Sequence, residues 1–460
     1  MPELSSTALP ESLHTLCRDI GKAGGHASLV GGCVRDLILG IQPKDFDLEV
    51  YSLQPEQLKA ALNKLGRTEF VGRQFGVFKL WLGTLEVDVA MPRSESKSGS
   101  GHRGFDIAID PNLSPEIASL RRDFSINAMM FDPLNNKVMD FHGGIKDLEN
   151  KMLRHISHAF YEDPLRPLRA MQFAARFQLQ LAKETAELCK KMLAEVKTLS
   201  TERIWGEWQK WSHAEFPSYG LQVLEDSGWL GLYPELEALI GCPQPPRWHP
   251  EGDVWRHTMQ VCDQAARIAC TNNLDNATTE QLLFAALCHD FGKPSCTKSD
   301  KSGQISSQGH SEEGIAPAKQ FMCKIGAPAR LFEYIRPLVL DHITHLHGDP
   351  TPRALRRLAH RLEPANVELW EMLVEADASG RSPAPPSRPA LEWLQQATKL
   401  NHHHSGPQPI VTGKVLLKLG LSPGPEMGLL IKKAYAAQLE GAFGDKSSAL
   451  AWLEKSGFIG

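Results

Sequence analysis

The chain has 460 residues, of which 42% are hydrophobic and 23% charged, and its formal net charge is −4. These values are ordinary for a globular protein of about three or four domains. The negative net charge excludes a uniformly basic protein, so a nucleic acid would have to bind at local basic patches. No apolar run approaches the ~18 residues of a membrane span, and the start of the chain lacks a signal-peptide pattern, so we expect no membrane partner. The nine cysteines include no Cys-x-x-Cys pair, which predicts a reducing, cytoplasmic environment.

The first motif along the chain is a glycine turn between a predicted strand at residues 28–30 and a predicted helix at residues 33–39. Gly31 and Gly32 let the backbone turn sharply and approach a ligand closely, because neither residue carries a Cβ atom. The first N–H groups of a helix lack partners and its dipole favours negative charge, so this arrangement is typical of an anion-binding site. Arg35 adds a planar guanidinium group that suits phosphate.

Two carboxylates follow on the next predicted strand. Asp45 and Asp47 are two positions apart, so both side chains project from the same face of that strand. Neighbouring carboxylates repel each other unless a cation lies between them, and their hard oxygen atoms suit Mg²⁺. A triphosphate held beside carboxylate-bound metal ions is typical of phosphoryl or nucleotidyl transfer. A solvated strand end is the alternative explanation for an isolated Asp-x-Asp pair, but the nearby glycine turn favours the metal site.

The Gly-Gly-x-x-Arg-Asp motif of residues 31–36, followed by the Asp-x-Asp motif of residues 45–47, resembles the signature of class II nucleotidyltransferases of the polymerase-β superfamily. Within that class it is most similar to bacterial CCA-adding tRNA nucleotidyltransferases. The resemblance implies a third catalytic carboxylate on a neighbouring strand, for which Asp88 is the positional match. A solvated sheet face is the alternative interpretation for Asp88, because it alternates with core residues of a predicted strand at residues 85–90.

Two further segments extend the resemblance. Residues 121–130 match the second motif of the family, which implies that Arg122 contacts the incoming nucleotide; a surface ion pair is the alternative for this arginine. Residues 92–105 are rich in Ser and Gly and have the composition of a surface loop. This segment resembles the lever that the family uses to add the terminal A, so we expect it to act in that step.

A second strong motif lies at residues 162–169. Asp163 and Arg166 are three positions apart, which would place them side by side on one helix face. An ordinary intrahelical ion pair is one interpretation. The other is base recognition, because an arginine donates hydrogen bonds to ring-nitrogen acceptors and a carboxylate accepts them from exocyclic amino groups. The segment resembles the Glu-Asp-x-x-Arg motif with which the family reads cytosine and adenine, and Arg169 extends it.

The second half of the chain combines an adjacent His-Asp pair with a separate His and a separate Asp. Isolated histidines on helices are usually core residues, but this combination is a metal-ligand pattern. It resembles the HD phosphohydrolase domain. The four metal ligands that the resemblance implies are His257, His289, Asp290 and Asp377. Imidazole and carboxylate ligands together suit Ni²⁺ or Mn²⁺, or Mg²⁺ more weakly. His310 and His342 either supplement this site or contact phosphate.

We therefore predict an α+β protein, with an N-terminal mixed-sheet nucleotidyltransferase head followed by largely all-α neck, HD and C-terminal regions. The predicted domains are the head at residues 1–148, a helical, nucleotide-selecting and tRNA-binding neck at 149–245, the HD domain at 246–381, and a linker with a helical tRNA-binding region at 382–460. Pro-rich segments near residues 242–247 and 382–389 motivate the last two boundaries.

The resemblance implies an enzyme that rebuilds the 3′-terminal CCA of tRNA from CTP and ATP without a template, using Mg²⁺ in the head and releasing pyrophosphate. An enzyme that adds only A, or a bacterial poly(A) polymerase, shares the head motifs and is the first alternative; an HD phosphohydrolase whose head only binds RNA is the second. For the HD domain the resemblance implies hydrolysis of phosphate esters and 2′,3′-cyclic phosphates, although the fold also occurs as a structural RNA-binding unit. The expected partners are tRNA, ATP and CTP, and the sequence leaves the oligomeric state open.

Overall fold

The computed structural model of the protein describes residues 9–71, 76–97, 105–381, 383 and 388–458. The chain forms two compact units. The first comprises residues 1–207 and 219–230, and the second comprises residues 208–218 and 231–460. Among the helices in the described ranges, none is both long enough and apolar enough to cross a membrane.

The first unit is organised around a mixed β-sheet. Its strands are β1 (His26–Val30), β2 (Phe46–Tyr51), β3 (Arg67–Val71), β4 (Val77–Leu82), β5 (Leu85–Ala90), β6 (Arg93–Lys97), β7 (Phe105–Ile109), β8 (Met130–Asp132), β9 (Lys137–Met139), β10 (Met152–Leu153) and β11 (Gln180–Leu181). Seven of these strands form one sheet in the order β3-β4-β5-β2-β1-β8-β9. Within it β2 and β5 run parallel, whereas the other neighbouring strands are antiparallel. The prediction of an N-terminal mixed sheet is confirmed.

Helices precede, interrupt and follow this sheet in the sequence. From residue 11 to residue 226 they are α1 (Glu11–Lys22), α2 (Gly32–Ile38), α3 (Pro55–Leu62), α4 (Pro115–Ser119), α5 (Gly144–Glu149), α6 (Arg166–Phe177), α7 (Lys183–Lys191), α8 (Thr201–Ser212) and α9 (Pro217–Asp226). The chain between α1 and α3 contains β1, α2 and β2, so one short helix connects the two strands at the centre of the sheet.

The alternation of side chains along β2 and β5 divides the sheet into an apolar face and an acidic face. Leu48, Val87 and Val89 are fully buried, as expected for one face of a pleated strand. On the opposite face, the parallel register pairs Asp47 of β2 with Asp88 of β5. The fold therefore brings together two carboxylates that are far apart in the sequence.

The second unit is largely helical, as predicted. Its helices after residue 231 are α10 (Pro234–Glu237), α11 (Val254–Thr271), α12 (Asn276–Cys288), α13 (Lys293–Cys296), α14 (His310–Glu313), α15 (Ile315–Lys324), α16 (Ala329–Asp341), α17 (Pro352–Leu362), α18 (Val367–Ser379), α19 (Leu391–Lys399), α20 (Gly413–Lys418), α21 (Pro425–Glu440) and α22 (Lys446–Lys455). A short antiparallel hairpin joins β12 (Lys298–Ser299) to β13 (Ile305–Ser306).

Three helices, α11, α12 and α18, pack against one another in this unit. The side chains of Asp253 and Asp275 accept hydrogen bonds from backbone N–H groups in the first turns of α11 and α12, and so cap both helices. Residues 282–288 of α12 are all buried. Because α12 runs through the interior, the polar residues at its C-terminal end emerge inside the protein rather than at the surface.

One local prediction is wrong. We expected residues 92–105 to form a surface loop, but residues 93–97 form β6, which pairs in antiparallel register with β7. The ladder of backbone hydrogen bonds forms there despite a Ser-rich composition, because sheet pairing depends on the partner strand as well as on local propensity. Residues 98–104 lie outside the described ranges. The division into four domains stays a prediction.

Candidate functional site

The glycine turn lies at the junction of β1 and α2, where two functional side chains approach the backbone. Gly31 has a φ angle of 77°, which favours glycine. A Cβ atom at this position would lie 3.1 Å from Nη1 of Arg122 and 3.7 Å from Oδ2 of Asp47. The turn therefore keeps open a space that a predicted nucleotide contact and a predicted metal ligand share.

The three predicted head carboxylates meet beside this turn. Asp47 and Asp88 are neighbours across β2 and β5, and Asp45 lies just before β2. Burial raises the pKa of the Asp47 carboxyl, and the charges of Asp88 and Asp45 raise it further, against the opposing charge of Arg122. Like charges held this close favour binding of a cation between them.

The chemistry of these oxygen atoms suits a hard divalent cation, but Asp45, Asp47 and Asp88 are not among the groups of described residues whose ligand atoms all lie within 4.8 Å of one another. Oδ1 of Asp88 is buried and has no hydrogen-bond partner among the described residues. Lys79 Nζ lies 3.7 Å from that oxygen and is also paired with Glu86 on the same strand. An oxygen with unused lone pairs beside two other carboxylates is a donor set that a hard cation such as Mg²⁺ prefers.

Arg122 lies beside a buried carboxylate, Glu49, that the sequence analysis missed. Glu49 is 1% exposed, and its oxygens accept hydrogen bonds from Arg121 Nη2 at 2.7 Å and from the Tyr51 hydroxyl at 2.9 Å. Arg122 Nη2 lies 3.7 Å from the same carboxylate. Burial would raise the pKa of Glu49, but the charges of Arg122 and Arg121 outweigh it and hold that pKa below its usual range. The sequence contained a signal for Glu49, because Asp47 and Glu49 alternate along β2 and so project from the same face of that strand.

We predicted that the guanidinium group of Arg35 is open to a phosphate, but in the structure it is bound to neighbouring side chains. It is buried, and its Nη1 donates to Oδ1 of Asn127 at 2.6 Å, while Nε and Nη2 donate to Oδ1 of Asp36 at 2.9 and 2.7 Å. Its guanidinium carbon lies 4.3 Å from the centre of the Phe177 ring. These contacts attach α2 to the neighbouring segments, and the phosphate contact of Arg35 stays a prediction.

The prediction that Asp163 and Arg166 lie side by side on one helix is wrong. Helix α6 begins at Arg166, and Asp163 has an extended backbone with φ −113° and ψ 106°. The reason is Pro164, because a residue that precedes proline is disfavoured in the helical conformation. Asp163 instead accepts hydrogen bonds from Arg203 Nη2 on both carboxylate oxygens, at 3.0 and 2.9 Å.

The two other predicted arginines also have partners that local spacing does not reveal. Arg166 Nη2 donates to the backbone carbonyl of Arg121 at 2.7 Å. Arg169 donates through Nε and Nη2 to Oδ2 of Asp123, at 2.9 and 2.7 Å. Nη1 of Arg166 and Nη1 of Arg203 are buried without a hydrogen-bond partner in the part of the chain that the structure describes. These two donors therefore keep hydrogen-bonding capacity that no described residue uses.

The four predicted metal ligands of the second unit converge from α11, the end of α12 and α18. Nε2 of His257 lies 3.0 Å from Oδ1 of Asp377, and Nε2 of His289 lies 3.1 Å from Oδ2 of Asp290. All four residues are buried. Ligand atoms of His257, His289 and Asp377 lie within 4.8 Å of one another, whereas Asp290 forms a second such group with His310 and His342.

Outer contacts orient these imidazole rings. Nδ1 of His289 lies 2.7 Å from the carbonyl oxygen of Ala286, so this nitrogen carries the proton and Nε2 points into the cluster as a free acceptor. Nδ1 of His257 lies 2.9 Å from Glu251, which the sequence analysis missed. Burial, together with the neighbouring rings of His289 and His310, lowers the pKa of His342 to about 3. Buried, oriented imidazoles beside carboxylates fit a divalent transition metal.

Comparison with known proteins identifies the chain. The Poly A polymerase head domain family matches residues 27–154, and the family described as the probable RNA and SrmB-binding site of polymerase A matches residues 178–240. The chain is 38% identical over 365 residues to a multifunctional CCA protein of Actinobacillus pleuropneumoniae, covering 77% of this chain and 85% of the relative. This chain belongs to the multifunctional CCA protein family. Identity to the relative from Vibrio parahaemolyticus is 36%, with the same coverage.

Solved structures of other proteins have the same fold as this chain. The CCA-adding enzyme of Bacillus stearothermophilus in complex with CTP superimposes with a TM-score of 0.66 and 19% identity, covering 97% of each chain. The Thermotoga maritima CCA-adding enzyme complexed with tRNA gives a TM-score of 0.58 and 18% identity, covering 99% of this chain and 98% of the other. The resemblance to CCA-adding nucleotidyltransferases is confirmed.

Proposed function

We propose that this chain is a tRNA nucleotidyltransferase that adds or repairs the 3′-terminal CCA of tRNA, using CTP and ATP and no nucleic-acid template. The observation that carries the proposal is the cluster of Asp45, Asp47 and Asp88 beside the Gly31 turn, in a chain whose relatives are multifunctional CCA proteins. Structures of the same fold bound to CTP and to tRNA support it. These relatives favour CCA addition over the A-only and poly(A) alternatives.

The residues of the head divide the work of nucleotidyl transfer. Asp45, Asp47 and Asp88 hold a divalent cation, and their oxygen-only ligand set favours Mg²⁺. When bound, Mg²⁺ supplies positive charge that steadies the triphosphate and makes the tRNA 3′-hydroxyl easier to deprotonate. The glycine turn leaves room for the triphosphate beside this cluster, and Arg122 offers it a fixed positive charge.

Selection of the base rests on Asp163 and Arg166, with Arg203 as the residue that holds Asp163. Cytosine and adenine both present an exocyclic amino group beside a ring-nitrogen acceptor, so a carboxylate that accepts and a guanidinium that donates match both bases. The free Nη1 of Arg166 supplies the donor. Arg203 fixes the Asp163 carboxylate through both oxygens. Oδ1 also accepts a hydrogen bond from the Leu165 N–H at 3.0 Å, so Oδ2 is the oxygen that retains a further lone pair for a base. Arg169 supports the site through Asp123.

We further propose that the second unit is a metal-dependent phosphohydrolase of the HD type, acting on phosphomonoesters and 2′,3′-cyclic phosphates. The buried cluster of His257, His289 and Asp377 with Asp290 supports this proposal. Mixed imidazole and carboxylate ligands favour Ni²⁺ or Mn²⁺, with Mg²⁺ bound more weakly. A purely structural, RNA-binding role for this unit is the competing hypothesis, and the clustering of buried titratable groups favours the catalytic one.

The four-domain division, with boundaries after residues 148, 245 and 381, is part of the same proposal. So is a location in the reducing cytoplasm, which the nine free cysteines support.

Replacement of the head carboxylates tests the nucleotidyltransferase directly. Asp45→Asn, Asp47→Asn and Asp88→Asn should each lower the rate of nucleotide addition by at least about 100-fold, because charged metal ligands are lost from the transition state. Binding of tRNA should remain near that of the parent. The matched control is Glu56→Gln, which removes an exposed carboxylate from α3 in the same unit. Addition within tenfold of the parent in the Asp45 and Asp47 variants would contradict the assignment.

The base-selection proposal predicts that Asp163→Ala and Arg203→Ala share a phenotype. Both should increase incorporation of UTP or GTP relative to CTP and ATP, because the groups that read the base edge are removed or released while the metal ligands remain. Single-turnover incorporation of each nucleotide measures this ratio. Arg154→Ala, which breaks a different ion pair in the same unit, serves as the control. Uniform slowing with unchanged selectivity would instead mean that the Asp163–Arg203 pair is structural.

The phosphohydrolase proposal predicts that the two activities separate. The double variant His289→Gln with Asp377→Asn should lose metal-dependent hydrolysis of a 2′,3′-cyclic phosphate and of a phosphomonoester, while CCA addition stays within about threefold of the parent. His347→Gln, an exposed histidine, is the control, and thermal unfolding verifies that the variants fold. Absence of hydrolysis in the metal-loaded parent, or full hydrolysis in the double variant, would overturn the proposal.

A further inference from the structure

An exposed tryptophan lies beside the predicted HD ligands and has no role in the proposals above. Trp248 is 57% exposed, although an indole ring has a large apolar surface whose burial is favourable. Other tryptophans of the chain are almost completely buried, among them Trp208, Trp211, Trp229, Trp255 and Trp370. An indole ring that stays at the surface is a candidate contact for a ligand.

The loop that carries this tryptophan is fixed to the ligand cluster on both sides of it. Before the tryptophan, Gln244 Oε1 accepts a hydrogen bond from Lys293 Nζ at 2.7 Å, and the same Nζ lies 2.6 Å from Oδ2 of the predicted ligand Asp290. After the tryptophan, Oε1 of Glu251 lies 2.9 Å from Nδ1 of the predicted ligand His257. These contacts hold the loop at a defined position relative to the ligands.

The turn at Trp248 places one side chain at the surface and the next one inside. The N–H groups of Trp248 and His249 both donate to the carbonyl oxygen of Pro245 at 3.0 Å. His249 is 9% exposed, and its ring centre lies 4.7 Å from that of His257. Because consecutive Cα atoms are only about 3.8 Å apart, Trp248 lies at the outer edge of the ligand cluster. A molecule of the size of one nucleotide can therefore reach both the indole ring and the cluster.

Positively charged groups lie beside the tryptophan and beside the ligands. The guanidinium carbon of Arg247 lies 5.0 Å from the centre of the Trp248 ring. Nη2 of Arg381 lies 3.6 Å from Oδ1 of Asp377, and its buried Nε has no hydrogen-bond partner among the described residues. Burial, followed by nearby positive charges that include Arg381, lowers the pKa of His249 to about 4, so Arg381 also lies near this loop. A guanidinium group with an unused donor suits a phosphate oxygen.

We propose that Trp248 determines the specificity of this site by stacking on the base of a nucleoside 2′-phosphate or 2′,3′-cyclic phosphate. The phosphate of that nucleotide then lies at the predicted metal ligands, where Nε of Arg381 donates to one of its oxygens. This assignment rests on the proposed phosphohydrolase function, and it narrows the substrates from phosphate esters in general to those that carry a base. Every base has a flat π face, so the contact selects for the presence of a base and not for its identity.

Hydrolysis of two esters that differ in the base tests this inference in the Ni²⁺-loaded full chain. Adenosine 2′-monophosphate and 2-glycerophosphate both carry their phosphate on a secondary hydroxyl, and only the first has a base. Trp248→Ala should raise the KM for the nucleotide by at least about fivefold with little change in kcat, because a stacking partner contributes about 5- to 150-fold in affinity. The kcat/KM for the nucleotide relative to that for 2-glycerophosphate should therefore fall by at least about fivefold.

Two further variants serve as controls. Trp248→Phe retains an aromatic face and should keep the ratio of the two kcat/KM values within about threefold of the parent. Leu429→Ala removes an exposed apolar side chain from α21 and should leave the ratio unchanged. An unchanged ratio in Trp248→Ala, or equal losses with both esters, would overturn the inference and leave the phosphohydrolase proposal intact.

A binding measurement separates this inference from the hydrolytic activity. A base that stacks on an indole ring quenches its fluorescence, so adenosine 2′-monophosphate should quench the parent more than Trp248→Phe, and 2-glycerophosphate should quench neither. If the metal-loaded parent hydrolyses neither ester, the phosphohydrolase proposal fails, and a quenching difference still upholds nucleotide binding at Trp248. Equal quenching of the two proteins would refute the inference, whether or not hydrolysis occurs.

Discussion

The parallel pairing of β2 with β5 holds Asp47 beside Asp88, and the head is arranged around these adjacent like charges. Backbone hydrogen bonds of the sheet fix the Cα atoms of the two residues, so the strands cannot separate to relieve the repulsion between the carboxylates. In the proposed function, a cation bound between the carboxylates relieves this repulsion and serves nucleotidyl transfer. The positive φ at Gly31 and the absence of a Cβ atom leave open space beside Asp47 and Arg122.

Partly buried arginine–carboxylate pairs set the positions of the polar groups around this centre. Glu49 holds Arg121 and lies beside Arg122, Asp123 holds Arg169, and Arg203 holds Asp163. Each pair uses some of the donors and acceptors of its members. Nε of Arg121 and Nη1 of Arg203, for example, have no hydrogen-bond partner among the described residues. Pairs of this kind add little net stability, because desolvation offsets most of the Coulombic attraction. In the proposed function, their value is that they fix the orientation of the side chains that would contact substrate.

The sequence predicted those parts of the sites that depend on local spacing. The glycine turn, the Asp45 and Asp47 pair and the strand that carries Asp88 follow from turn chemistry and from the two-residue period of a strand, and the α+β fold class is confirmed. Partners that tertiary packing supplies were missed, as with Arg203 for Asp163 and Glu251 for His257. The prediction that Asp163 lies on a helix was wrong, although Pro164 indicates that the preceding residue is disfavoured in the helical conformation. The prediction of a loop at residues 93–97 was wrong, because pairing with β7 outweighs the loop-like composition of the segment.

The central claim is that this chain builds the CCA end of tRNA from CTP and ATP. It is tested most directly by incubating the purified protein with tRNA that lacks three, two or one terminal nucleotides, with each nucleoside triphosphate singly and together. The account predicts that CTP alone extends the first tRNA by two residues, that ATP alone extends only the last by one, and that extension stops once CCA is complete. Failure to use CTP, or a tail of many A residues, would contradict it.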